Sequence, residues 1–180
     1  MQAEKMVQRL ALFSEFARTA KLGRTAIMKL CFFLQESRGV PLGYQFSIYS
    51  YGPFDSDVLT DLNTAEHMNV LKSTIVYYSS GTGYEYSLGT DTSVRDLAAG
   101  FLAQNRDNIS WALTNFGHKT AGELELLSTT LFVAKFNNPK DANDLISKVG
   151  LIKPHFTSEQ IMQGFQELVR LQVLRTSPVV

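Results

Sequence analysis

In the stretch Thr25 to Ser37, the run Ala26 to Leu34 holds a single charged residue, Lys29. A helix that is apolar nearly all round leaves no face for water, so it must lie at the centre of a core. Ahead of it, residues 5–18 set Met6, Leu10, Phe13 and Ala17 on one helix face, with Gln8, Arg9 and Glu15 elsewhere on the wheel. Gly39, Pro41 and Gly43 then break the chain, and Tyr44 to Tyr51 predicts a short extended segment rich in aromatic residues, stopped by Gly52 and Pro53. A further helix is expected with Asp55 or Ser56 as N-cap and Val58, Leu59, Leu62 and Ala65 as its buried stripe. Leu71 to Tyr78 and Tyr84 to Leu88 are rich in Val, Ile and Tyr and flank Ser-Ser-Gly-Thr-Gly at 79–83, the signal of a β-hairpin. Helix, helix, short strand, helix, hairpin is the order of a winged helix.

After Asp91 the pattern is helical. Val94, Leu97, Ala98, Phe101 and Leu102 begin one long stripe that continues through Ile109, Ala112, Leu113 and Phe116 to Gly117, with a bend expected near Gly100 or Asn105. Thr120 and Glu123 form a capping box ahead of Leu124, Leu127, Leu131 and Ala134. Asn138-Pro139 opens a short helix closed by Gly150, and Thr157 with Gln160 opens the last, carrying Ile161, Phe165 and Leu168. The expected fold is mainly α (α+β), a winged-helix-like part at 1–90 with a β-hairpin wing and a helical part at 91–180, packed as one continuous unit.

Composition narrows the function classes. The 180 residues include 17 Lys plus Arg and 17 Asp plus Glu, a net charge of zero. That excludes a uniformly basic nucleic-acid coat, an acidic tail and a polybasic membrane anchor. The longest apolar run, Leu30 to Leu34, falls far short of the roughly 20 residues a bilayer span needs. No membrane association or export signal is expected, and a cytoplasmic protein is the simplest reading. Cys31 is the only cysteine, so an internal disulfide and an internal thiolate metal cluster are both excluded.

No local signature of catalysis is present. His67, His118 and His155 lie far apart, none with a second His or Cys at ligand spacing. Cys31, inside the most apolar helix, reads as a buried thiol. Glu123 and Glu125, two apart on a helix, do not face each other, and Asp55 and Asp57 suit the positive end of a helix dipole. Accordingly no catalytic residue, metal or cofactor is expected.

The zero charge conceals a division. Residues 1–40 carry seven Lys and Arg against three Glu, a net +4, whereas residues 41–90 carry five acids against Lys72 alone, a net −4. The winged-helix order makes Ser56 to Met68 the candidate recognition helix, yet it contains Asp57, Asp61 and Glu66 and no Lys or Arg. Phosphate contacts supply most nonspecific DNA affinity, so reading of the major groove in the usual orientation is disfavoured. Arg18, Lys21 and Arg24 in the first turn are either a solvated loop or a docking site for phosphates or an acidic surface. Lys29 requires an acidic or carbonyl partner, or a stem long enough to reach the surface.

Gly23-Arg24-Thr25 leading into Lys29-Leu30-Cys31-Phe32-Phe33-Leu34-Gln35-Glu36, then Phe46-Ser47-Ile48-Tyr49-Ser50-Tyr51-Gly52-Pro53-Phe54, resembles the bacterial YwgA family of uncharacterised proteins. Glu123-Leu124-Glu125-Leu126-Leu127-Ser128-Thr129 and Lys153-Pro154 are similar to that family's C-terminal half. More distantly, Lys29, Tyr51, Gly52 and Pro53 match a motif of the Panacea antitoxin domain, which is associated with neutralising toxins through protein contact. The resemblance implies a protein partner, in a toxin–antitoxin or defence context. The same Gly-Pro also has a purely structural reading, as the end of a strand that sets the direction of the next helix. The expected function is thus a non-catalytic adaptor or regulator that binds another protein, with a DNA-binding transcriptional regulator as the alternative. Candidate protein-binding residues are Lys29, Tyr49, Tyr51, Phe54, Tyr77 and Tyr84, since aromatic anchors bury large areas at small entropic cost. Arg18, Lys21 and Arg24 are the basic docking candidates. Nucleic acid and a second copy of the chain remain open as partners.

Overall fold

The computed structural model describes residues 2–78 and 81–175. In chain order the elements are α1 (Gln2–Thr19), β1 (Leu22–Gly23), α2 (Arg24–Arg38), β2 (Ser47–Tyr49), β3 (Gly52–Phe54), α3 (Ser56–His67), β4 (Leu71–Tyr78), β5 (Gly81–Leu88), α4 (Ser93–Leu97), α5 (Ala99–Gln104), α6 (Arg106–Phe116), α7 (Ala121–Phe136), α8 (Ala142–Ile152) and α9 (Ser158–Arg170). The chain is mainly helical with an antiparallel sheet of order β1-β5-β4 and a separate β2-β3 pair, the α+β class that the sequence predicts. It divides into two units, Met1–Phe46 with Asp55–Lys119 and Ser47–Phe54 with Thr120–Val180. The expected division at residue 90 therefore shifts. Helices α4 and α5 pack on α1, and α6 packs on α2, so they join the first unit, while β2 and β3 join the second through α7.

In the first unit every residue from Ile27 to Leu34 is buried, as an all-round apolar helix requires. Phe33 stacks on Phe116 of α6 with ring centroids 3.9 Å apart. α2 stops at Gly39, whose φ of +66° lets its N–H reach the Leu34 carbonyl. α3 is capped by the Asp55 side chain, which accepts from Asp57 N–H, and it buries Val58, Leu62 and Ala65 of the expected stripe.

Several elements differ from the sequence pattern. The long helix expected from Val94 to Gly117 is three helices, broken at Ala98 and Asn105. β5 begins at Gly81, so Gly81 and Gly83 lie in a strand opposite Tyr78 and Val76 instead of in a five-residue loop. The first two residues of that loop, 79 and 80, and the side chain of Tyr78 lie outside the described residues. Two-residue β1, too short to leave a period-2 signal, pairs Leu22 and Gly23 with Tyr86 and Glu85.

α3 also buries an acid. Asp61 accepts from the Tyr44 hydroxyl at 2.8 Å and faces Arg9 Nη1 at 3.2 Å. The Arg9 guanidinium lies 4.1 Å from the Tyr44 ring centre, and its Nε donates to the Leu42 carbonyl at 2.8 Å. Burial pushes the Asp61 carboxyl above its ordinary value, against the Tyr44 hydrogen bond and the Arg9 charge that pull it down. Burial likewise pushes the Cys31 thiol up, so it carries no thiolate character at neutral pH.

The second unit is built around α7, with α8, α9 and β3 packed against it. Val133, Leu145, Val149, Ile161 and Phe165 form its core. The capping boxes expected at Thr120/Glu123 and Thr157/Gln160 are present. α8 starts at Ala142 behind an Asp141 cap, three residues beyond the expected Pro139 start, and Gly150 lies within it. Asp141 supplies what Pro cannot, an acceptor for the orphan N–H of Asp144.

Removing one member of a buried ion pair costs more than replacing both, because the survivor keeps its desolvation penalty. Arg9→Met is expected to lower folding stability by about 3 kcal/mol at neutral pH, read from urea unfolding. Asp61 has a folded-state pKa above its unfolded value of 3.8, so its favourable contribution is full at low pH and lost as pH rises through the folded value. The deficit of Arg9→Met should therefore shrink on acidification; a deficit that is constant with pH contradicts this account.

Candidate functional site

Tyr49, Tyr51 and Phe54 belong to one small hairpin of the second unit. β2 pairs antiparallel with β3, matching Ser47 to Phe54, Ile48 to Pro53 and Tyr49 to Gly52, so the loop is only Ser50-Tyr51. Gly52-Pro53, expected to end a strand, instead begins the returning one. Gly52 is required twice over. Its φ is +87°, and a Cβ there would lie 2.9 Å from Thr129 Oγ1 and 3.2 Å from Ser128 Oγ. At the tip, Tyr49 is 65% and Tyr51 71% exposed. Phe54 is half-buried, its ring 5.5 Å from that of Tyr49.

What fixes this tip is a buried charge. Lys153, just past the end of α8, has a side chain only 4% exposed, and its ammonium lies 2.7 Å from Glu125 Oε1 on α7. The Glu125 contact is an ion pair rather than a directed hydrogen bond. The same ammonium donates to the carbonyls of Tyr49, at 3.3 Å, and Ser50. An ammonium has three donors and no acceptor; here the two hairpin carbonyls accept from it and the Glu125 carboxylate supplies the counter-charge. His155 Nε2 lies 3.4 Å from the same Glu125 oxygen, with its ring 56% exposed.

The first unit places the remaining candidates. The Arg24 guanidinium lies 3.9 Å from the centre of the Tyr84 ring, and its Nε donates to the Tyr86 hydroxyl at 3.0 Å. That hydrogen bond, before any other influence, raises the Arg24 pKa further. Arg18 pairs with Glu15, which also holds Arg95 at 2.9 Å. Hydrogen bonding from Arg18 is the main reason that the Glu15 carboxyl sits below its ordinary range. Arg18 also lies on the rim of a groove of about 650 Å³, with Arg95 and Arg106 beside it and Leu102, Ile109 and Leu113 among its lining. Lys21 is exposed. Tyr77, on β4, is 82% exposed. Lys29 is 2% exposed and inside the core, so as a docking residue it is corrected: it lies within the run Ile27 to Leu34, which is buried throughout.

The structure thus brings together Tyr49, Tyr51 and Phe54, and separately Arg24 with Tyr84. The residues that sequence reasoning passed over are Glu125 and Lys153 as a pair. One signal was available. Glu125, Ser128 and Thr129 stand at i, i+3 and i+4, a polar stripe within a helix that is otherwise largely apolar. Among the described residues no group of three or more His, Cys, Asp or Glu is placed to hold a metal ion, and no helix is long and apolar enough to cross a membrane. Searched against protein-family models the chain matches none, and no curated protein matches it significantly.

Lys153→Met strands Glu125 in the core and releases two carbonyls. Stability is expected to fall by about 3–5 kcal/mol, and amide exchange at Ser50 and Tyr51 should accelerate by more than the global change alone produces. Lys153→Met with Glu125→Leu should recover most of the stability but not the protection of the tip. Equal deficits in the single and double variants would contradict the ion-pair account.

Proposed function

We propose that this chain is a non-catalytic binding module, an adaptor or regulator, that recognises another protein through the Tyr49–Tyr51 hairpin tip. The observation that carries the reading is the display of two largely exposed tyrosines on a loop whose carbonyls are held by a buried ammonium. Large aromatic side chains on a rigid support bind without first being ordered, which removes a main cost of association. The resemblance of Lys29, Tyr51, Gly52 and Pro53 to the Panacea antitoxin motif supports the same reading and suggests a toxin–antitoxin or defence setting, in the cytoplasm. Lys29 and Pro53 would then be scaffold, since both are buried, and the two tyrosines the contact.

A DNA-binding regulator is the second reading. It is supported by the helix, helix, helix, hairpin succession of α1, α2, α3 and β4–β5, which a winged-helix reading would require, and by the exposure of Lys21. It is weakened by α3, whose Asp57 and Glu66 face any approaching phosphate without a compensating Lys or Arg. It is weakened also by the internal engagement of Arg18 and Arg24.

Affinity capture from source-cell lysate with nuclease treatment separates the two. The expected result is a nuclease-resistant protein partner whose recovery drops by about tenfold or more in Tyr49→Ser with Tyr51→Ser, as for aromatic anchors at an interface. The thermal midpoint of that variant should stay near the parent's, since both rings are exposed. Recovery indifferent to the tyrosines, or co-eluting DNA lost on Lys21→Glu, would overturn the reading.

A further inference from the structure

β4 ends the sheet of order β1-β5-β4, so one edge of an eight-residue strand has no neighbour among the described residues. In an antiparallel ladder every second residue directs its N–H and C=O away from its partner, which leaves a row of unpaired groups along such an edge. Natural edges are protected by shortness, proline, bulges or charge. Here the register runs unbroken from Leu71 opposite Leu88 to Tyr78 opposite Gly81, with no bulge and no proline, and the only charge, Lys72, is near the base. The outer half, Ser73-Thr74-Ile75-Val76-Tyr77, is uncharged, with Ile75 51% and Tyr77 82% exposed.

We infer that this edge is covered by the same edge of a second copy, joining two three-stranded sheets into a six-stranded one about a two-fold axis at Ile75. A two-fold perpendicular to a sheet keeps each side chain on its own face, so odd-numbered residues of β4 meet odd-numbered residues of the copy. With the axis at Ile75, each Tyr77 falls opposite the small Ser73 of the copy, which gives the ring room to lie down over the sheet. Ile75 meets Ile75, and because Tyr84 is opposite Ile75 within each chain, the row across the junction reads Tyr84, Ile75, Ile75, Tyr84. Arg24 stacks on the Tyr84 at each end. On the other face Thr74 meets Val76, a β-branched pair suited to cross-strand packing. Charge also favours a copy: Lys72 lies three residues from the axis, which separates the two ammonium groups by about 20 Å along the strands, and the chain's net charge is zero. The inference does not rest on the hairpin-tip reading, because β4 shares no residue with that tip.

Sedimentation velocity of the whole chain across a micromolar to near-millimolar range tests it. The parent should dimerise reversibly, and Ile75→Lys with Tyr77→Lys, which sets like charges across the axis, should weaken the dimer about tenfold or more with an unchanged far-ultraviolet spectrum. Leu151→Lys, at an exposed apolar residue elsewhere, should leave it intact. As a measurement independent of that variant's folding, Ile75→Cys should oxidise to a cross-linked dimer, the natural Cys31 being buried. A parent that stays monomeric throughout, a dimer untouched by the lysine pair, or one dissociated by Leu151→Lys overturns the inference. Failure of the tyrosine variant to lose its captured protein leaves this result unaffected, so the two proposals fail separately.

Discussion

Lys153 holds its ammonium where water does not reach, and the second unit is arranged around that fact. An ammonium taken out of water loses several kcal/mol of hydration, which attraction to one carboxylate alone does not always offset. Its donors must find acceptors, and they find the carbonyls of Tyr49 and Ser50 at the turn of the β2–β3 hairpin. The hairpin is too short to be stable by itself. Its position therefore follows from three things at once: the Lys153 ammonium, the absence of a Cβ at Gly52 and the small hydroxyls of Ser128 and Thr129 that Gly52 presses against. A larger residue at any of these points would lift the turn away from α7 and leave Glu125 without its counter-charge. With the carbonyls of Tyr49 and Ser50 bound inward, the rings of Tyr49 and Tyr51 stand exposed at the tip.

A second buried pair works in the first unit and changes what the charge distribution means. Read along the chain, α3 looks like an acidic surface helix. In the fold, Asp61 is an interior group bonded to Tyr44 and Arg9, so one of the positive charges counted before residue 40 is spent on one of the negative charges counted after it. Glu15 pairs with Arg18 within its own segment and with Arg95 beyond both. The Arg9–Asp61 pair thus removes one charge from each side of the +4 and −4 division. Lys21 in the first turn and Asp57 on α3 are among the charges left exposed. What disfavours groove reading by α3 is therefore the absence of Lys and Arg on it rather than a field of acids.

The local part of the fold was legible in the sequence because its causes are local. The enclosed α2, the amphipathic α1, the stripe and cap of α3, the capping boxes of α7 and α9 and the long hairpin each depend on residues a few positions apart. What was not legible depends on distant pairings. β1 becomes a strand only because β5 lies beside it. The helix expected to run from Val94 to Gly117 with a bend near Gly100 or Asn105 breaks at Ala98 and Asn105; at Asn105 the side chain turns to the Phe101 carbonyl, a local bond that competes with regular helix, whereas the apolar stripe gives no warning of the break at Ala98. The unit boundary at Lys119 is set by which helices α1 and α2 attract. Lys29 was misplaced for a different reason: a charged residue in an apolar run suggests either a site or a buried partner, and only packing decides which.

The tyrosines show how packing decides. Tyr44 and Tyr86 are buried, and each has a hydroxyl bonded to a charged group, Asp61 for one and Arg24 for the other. A buried phenol needs such a partner, because an unsatisfied hydroxyl in a core costs more than the ring's burial returns at the margin. Among the described residues Tyr49, Tyr51, Tyr77 and Tyr84 have no comparable charged hydroxyl partner, and all four are exposed to differing degrees. Position along an alternating pattern does not separate these groups, since Tyr84 and Tyr86 share one face of β5. The difference is distance from the sheet's base: Tyr86 lies opposite Ser73 and beneath α2's first turn, whereas each step outward through Tyr84 to Tyr77 moves beyond the helices that could cover it. The aromatic face thus grows more exposed from Tyr86 through Tyr84 to Tyr77, at 1%, 36% and 82%.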